Sequence, residues 1–292
     1  MAQFIISAFA DEAGAELSHQ IEALKRNGIG YLEIRNVNGG ILEKSEEEIN
    51  AIARQLHDAD IKVSSFGSPI GKREIDGDFD EQMKEFRHAL RICQILGTRY
   101  MRMFSYFIPQ DKLTLHRDEV LRRLSAFLDE AEKAGVILCH ENESKIYGQN
   151  PKEVRDLLES LPRLRGIFDP ANYVMNDCDP IEGIEATLPS LEYLHIKDAI
   201  MAEKCIVPAG MGDGEVARVL RRVDASTDKT MFLTVEPHLR IFDAYSRIDS
   251  HQLRTGIEFE NNDDAFDCAV AHLKTMLTTL GYHEEENKTW KK

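Results

Sequence analysis

Apolar positions alternate between two kinds of segment along the chain. Short runs rich in β-branched and aromatic residues occupy 4–8, 31–34, 62–66 and 99–104. Between them lie stretches whose apolar residues recur three and four apart, at about 17–27, 45–59, 80–96 and 117–134. The first pattern predicts buried strands and the second amphipathic helices. Punctuation agrees: Gly28 and Gly30 break the chain before the second run, and Ser45 with Glu48 reads as a capping box. Gly97 and Gly135 stand where the third and fourth helices should stop. The second half repeats the scheme, with strands at 136–141, 164–169, 191–195 and 232–236 and helices near 151–160, 180–188, 214–223 and 263–280.

Eight βα units in succession, with no Pro/Gly/Ser-rich linker, predict a (β/α)8 TIM barrel forming one domain over 1–283. A dinucleotide-binding reading needs a glycine-rich turn after the first strand, and Ala8-Phe9-Ala10-Asp11-Glu12 stands there instead. The charged tail 284–292 is expected to fray.

Strand ends of a parallel barrel share one pocket. The last four strands end in Glu141, Asp169, His195 and Glu236. Alone, each has an ordinary reading: a carboxylate after a strand often caps the next helix, and a single histidine is usually a hydrogen-bonded core residue. Together on consecutive strands they predict a site for one divalent ion. Three carboxylates and one imidazole favour Mn²⁺, Mg²⁺ or Co²⁺, with Zn²⁺ also admissible.

Composition narrows the partners. Asp and Glu number 51 against 36 Lys and Arg, a net charge of -15, which repels nucleic-acid phosphates. The densest basic residues, Arg122, Arg123 and Lys133, belong to one predicted helix and read as its solvated face. The cysteines, Cys93, Cys139, Cys178, Cys205 and Cys268, are odd in number and lack zinc-type spacing, so they read as reduced thiols. With no leader pattern and no apolar stretch of the roughly 20 residues that span a bilayer, the expectation is a cytoplasmic protein without a membrane partner.

The segments around the four ligands carry a resemblance. His140-Glu141-Asn142, Phe168-Asp169-Pro170-Ala171-Asn172, His195-Ile196-Lys197-Asp198 and Val235-Glu236-Pro237-His238 resemble the metal-site segments of the xylose-isomerase-like TIM-barrel superfamily, in its sugar isomerase/epimerase branch. The likeness runs over nearly the whole chain. It implies a metal-dependent isomerase or epimerase acting on a sugar, keto-sugar or sugar phosphate through a metal-stabilised enediolate. Glu141 and Glu236 would then be ligands and also the catalytic acid/base pair, while Asp169 and His195 hold the ion. One departure is Asn172, where the epimerases commonly carry a histidine three residues after the aspartate. An inosose-dehydratase-like lyase on a keto-polyol is the alternative. An apurinic-site endonuclease-like barrel is remote, because the ends of strands three and four carry no histidine. A non-catalytic binding barrel is expected to lose one or both glutamates, and both are present.

Candidate substrate-binding residues at the rim are Lys197, His238, Glu33, Asn142, Asn172, Lys145 and Arg35. A small carbohydrate suits so polar a mouth. The loop 67–72 with Lys72 is a weak phosphate candidate, and the glycines of 208–214 read more readily as a tight turn than as an anion site. The acidic helices and the segment 239–262 leave room for a homodimer.

Overall fold

The short apolar runs become strands lying side by side. They are β1 (Gln3–Ala8), β2 (Tyr31–Ile34), β3 (Lys62–Phe66), β4 (Tyr100–Met103), β5 (Ile137–Glu141), β6 (Arg165–Phe168) and β7 (Leu191–Ile196). A small antiparallel hairpin follows, β8 (Asp198–Ile200) with β9 (Cys205–Val207), and then β10 (Thr230–Val235). Neighbours from β1 to β7 pair in parallel, and β10 pairs with both β7 and β1, so eight strands close a (β/α)8 barrel. The structure, a computed structural model, describes residues 1–242 and 254–292. The part of 239–262 between them, where room for a dimer contact was expected, lies outside the described residues.

Helices surround the barrel: α1 (Leu17–Arg26), α2 (Glu46–Asp58), α3 (Phe79–Leu96), α4 (Leu113–Ala134), α5 (Pro151–Ser160), α6 (Pro170–Met175), α7 (Pro180–Thr187), α8 (Val216–Ser226) and α9 (Asn262–Thr279). Their ends follow local chemistry. The Ser45–Glu48 capping box opens α2, and Gly97 and Gly135 close α3 and α4 in the left-handed conformation. Helix α4 starts earlier than its charged sequence suggests, because Leu113 is buried and begins the apolar stripe. Helix α6 and the β8–β9 hairpin have no counterpart in the sequence reading.

Successive strand residues face opposite ways, so the barrel has two cores. The larger packs strands against helices, with Phe86, Phe127 and Phe266 wholly buried in it. A small separate cluster inside the barrel holds Cys139, Ile167 and Tyr193, with Tyr100, Ile137 and Phe232 against them.

The tail corrects one expectation. Residues 284–292 do not fray: β11 (His283–Glu284) and β12 (Thr289–Lys291) form a hairpin whose second strand pairs antiparallel with β1, placing Trp290 opposite Phe4. Strand β1 meets β2 only at Ala8 and Leu32, so its lower half has an edge to offer. Trp290 is 5% exposed, and Lys292 Nζ lies 2.6 Å from Asp224 Oδ2. The charges around the tryptophan concealed an anchor.

Candidate metal centre

Glu141 is the last residue of β5, Asp169 follows β6, His195 is next to last in β7, and Glu236 follows β10. The pleat turns all four into the mouth of the barrel. One ligand atom from each lies within 4.8 Å of the others, and all four residues are buried. Each side chain divides its atoms between the fold and the centre. Asp169 Oδ1 caps α6, accepting from the Asn172 backbone N–H at 3.1 Å. His195 Nδ1 faces Glu141 Oε1 at 3.0 Å and Glu236 Oε2 at 3.2 Å.

Three carboxylate oxygens, Glu141 Oε2, Asp169 Oδ2 and Glu236 Oε2, are buried without a hydrogen bond. Buried polar atoms are seldom left so. Their counter-charges are ion pairs that lack hydrogen-bond geometry: Arg102 Nη1 stands 3.3 Å from Glu141 Oε2, and Lys197 Nζ stands 2.8 Å from Asp169 Oδ2 and 3.6 Å from Glu236 Oε2. Unsatisfied hard oxygens beside an imidazole fit a divalent cation.

Electrostatics separates the carboxylates. Burial works against ionising Glu141, yet the charges of His195 and Arg102 hold it down to about 2. Burial opposes Glu236 as well, and Lys197 and His195 still hold it well below the usual carboxylate range. Burial pushes Asp169 up to about 7 against the pull of Lys197. Burial also disfavours the His195 imidazolium, but Glu141 and Glu33 raise its proton affinity well above normal.

The other candidate residues are distributed unevenly. Lys197 joins the centre. Arg35 is buried beside it and is held entirely by carboxylates: Nη1 donates to Glu236 Oε1 at 2.6 Å, Nη2 to Glu12 Oε1 at 2.8 Å, and Nε to Asp11 Oδ2 at 2.9 Å. His238, at φ 45°, lies 3.5 Å from both Glu12 and Glu236. Asn172 Nδ2 donates to the Asn142 carbonyl at 2.8 Å and reaches Glu141 Oε1 at 3.4 Å. Asn142 has its amide bonded at both ends to the Asp169 backbone, so it braces Asp169. Glu33 sits below His195, within the barrel rather than at the rim. Lys145 is not brought to the centre; it is exposed in the loop after β5, and its backbone bonds Gln149 and Ile108. His140, beside Glu141, faces the other side of the strand, 2.8 Å from Ser105 Oγ, and burial pushes it down to about 4.

Sequence reasoning missed Asp11, Glu12 and Arg102. Burial pushes Glu12 up to about 8 against the opposing charge of Arg35. Arg102 donates to the carbonyls of Gly67 and Ser68 behind Glu141. The Phe9 ring lies 4.0 Å from the Arg35 guanidinium and 5.2 Å from that of Arg102. No strand-end signal marks them: Asp11 and Glu12 lie in a helical turn beyond β1, and Arg102 stands one residue before the end of β4. The glycine loop 208–214 is a turn closed on an internal anion: the amides of Gly210, Gly212 and Gly214 donate to Asp198 at 2.8, 3.0 and 2.8 Å.

A closed parallel barrel with carboxylates and a histidine converging at its C-terminal mouth defines a class of barrel proteins. Within it, residues 21–259 match the family model described as xylose isomerase-like TIM barrel, and the chain belongs to that family. No curated protein sequence matches it. Solved structures share its fold. The probable 3-DHS dehydratase AsbF of Bacillus anthracis superposes with a TM-score of 0.71 at 12% identity, covering 94% of this chain and 99% of that one. D-psicose 3-epimerase of Clostridium cellulolyticum H10 gives 0.66 at 16% identity, over 94% and 99%. The IolI protein, described with a bound zinc atom, gives 0.69 at 14% identity, over 94% and 98%.

Proposed function

We propose that this protein is a divalent-metal-dependent isomerase or epimerase of a sugar or keto-sugar. Glu141, Asp169, His195 and Glu236 would hold the ion, and Glu141 and Glu236 would move the proton. The observation that carries this reading is the division of labour in the two glutamates. Each directs one oxygen at His195 Nδ1 and the other at an arginine, Arg102 for Glu141 and Arg35 for Glu236. Two carboxylates on separate strands can then reach a substrate carbon from different sides. The ion, when bound, supplies Lewis-acid polarisation of a carbonyl beside the reacting carbon.

The pair is unequal. The 2.6 Å bond from Arg35 pins Glu236 as a carboxylate, whereas Arg102 stands at 3.3 Å from Glu141, which makes Glu141 the readier proton carrier. Lys197 holds Asp169 and Glu236 in place. Among the described residues, Arg35, Arg102, Lys197 and Lys72 are all engaged by carboxylates, which favours an uncharged polyhydroxy carbonyl compound over a sugar phosphate. Asn172 would hydrogen-bond a sugar oxygen, and it cannot carry a proton as a histidine would.

A lyase reading has one support, the likeness to the probable dehydratase at a TM-score of 0.71. Both chemistries begin by removing a proton next to a carbonyl, and they differ in whether a leaving group departs.

The test is substitution of Glu141 and of Glu236 by Gln, assayed on a panel of ketoses with metal occupancy measured in the same samples. Activity should fall by about 10² or more, the scale of losing a positioned acid or base. A Glu236→Gln variant that keeps its metal and near-normal turnover excludes Glu236 as a proton carrier. Release of water with formation of an unsaturated product would select the lyase.

A further inference from the structure

The two nitrogens of His195 face opposite worlds. Nδ1 looks into the centre, between Glu141 and Glu236. Nε2 looks down the barrel and meets Glu33 Oε2 at 3.3 Å. Glu33 comes from β2 and His195 from β7, so this contact crosses the barrel interior. The Glu33 side chain is 0% exposed. Among the described residues its one ion-pair partner is His195. Its other neighbours are hydroxyls: Thr234 Oγ1 donates to Oε2 at 2.8 Å, and Tyr193 OH donates to Oε1 at 2.9 Å. Having given its proton to Glu33, the Tyr193 phenol can accept from Ser65 Oγ at 3.0 Å.

A wholly buried carboxylate is costly unless it is paired and hydrogen-bonded. Nothing in the apolar cluster below requires one. What Glu33 does uniquely is accept. Glu33 accepts from both of its other neighbours, so it stands as the acceptor at Nε2 as well, and Nε2 is the nitrogen placed to donate. Nδ1 faces carboxylates as well, so a cation held by Glu141 and Glu236 would take its lone pair in place of a proton, while Nε2–H stays with Glu33. Histidines that hold metals are commonly oriented by a carboxylate on the opposite nitrogen.

We infer that Glu33 is a positioning residue: by accepting from Nε2, and braced by Tyr193, Ser65 and Thr234, it fixes the His195 ring in the orientation that presents Nδ1 to a metal ion. The inference rests on the metal-centre reading above and replaces a substrate contact for Glu33 with a role behind the ligand.

The experiment compares wild type, Glu33→Ala and Glu33→Gln, each checked for folding by circular dichroism. Mn²⁺ affinity is measured by titration, and the His195 ring nitrogens are read by long-range ¹H–¹⁵N correlation in zinc-loaded, histidine-labelled protein. Wild type should carry its proton on Nε2. Both variants should bind Mn²⁺ about 10- to 100-fold more weakly, and in the zinc-loaded variants the His195 Nε2–H resonance should move upfield as its carboxylate acceptor is lost. The Gln variant keeps the side-chain shape, so it stands as the test if Ala fails to fold. Unchanged Mn²⁺ affinity in the folded Gln variant overturns the role of Glu33. So does weaker binding with the His195 Nε2–H resonance unmoved, because Glu33 would then act by another route. Wild type that takes up no Mn²⁺ would sink the metal centre itself, a result distinct from equal loading of wild type and variants.

Discussion

The two ends of the barrel solve opposite problems. At the C-terminal end, Asp11, Glu12, Glu141, Asp169 and Glu236 are crowded together and buried, with Arg35, Arg102 and Lys197 threaded among them. At the N-terminal end, the β12 strand lies along β1, Tyr282 packs on Phe4 with ring centroids 5.1 Å apart, and Trp290 fills the remaining edge. Apolar burial at the lower end is favourable and undemanding in direction. Burial of charge at the upper end is favourable only with a complete set of partners. Stability should therefore be concentrated below and binding above, as barrel enzymes generally divide them.

The comparison can be broken most directly at the lower end. Trp290→Ala should cost about 3–5 kcal/mol of stability, the usual range for deleting a buried tryptophan. Mn²⁺ affinity of the folded variant should stay at the wild-type value. Thermal unfolding and metal titration of the same sample check both; a large loss of metal binding would show that the ends are coupled.

The next effect belongs to the upper end. Mn²⁺ at about 100 times its dissociation constant should stabilise the protein by about 2.7 kcal/mol, and a chelator should remove that gain. The increment should be the same in wild type and in Trp290→Ala, because distant sites add. No shift in unfolding on adding Mn²⁺ would remove the metal centre from the upper end.

The smallest effect sharpens the division within the rim. Asp198 is a rim carboxylate devoted to the fold, accepting from four backbone amides, those of Ala199, Gly210, Gly212 and Gly214. Asp198→Asn should cost about 1–2 kcal/mol. It should speed hydrogen exchange at the three glycine amides and change Mn²⁺ affinity little. If metal binding fell as steeply as in a ligand variant, Asp198 would belong to the centre.

Much of this was legible in the chain. Strand and helix periods are local properties, so eight βα units can be counted without coordinates. The convergence of Glu141, Asp169, His195 and Glu236 was legible too, because parallel strands in a closed barrel must present their ends together. What the sequence concealed depends on partners far apart in the chain. Arg35 read as a rim contact for a substrate, yet its guanidinium is taken up by Asp11, Glu12 and Glu236, which are brought to it only by barrel closure. The tail read as charged and loose, yet β1 had an unpaired edge for Trp290.

By itself, then, the sequence determined the barrel and the four side chains that meet at its mouth, since both follow from hydrophobic period and from which residue ends each strand. Tertiary structure alone decided which atom of each of these side chains faces the centre and what stands behind it. Asp169 commits Oδ1 to a helix cap, and His195 commits Nε2 to Glu33 across the barrel. Those choices depend on register and on distances through the interior, which a linear pattern does not carry.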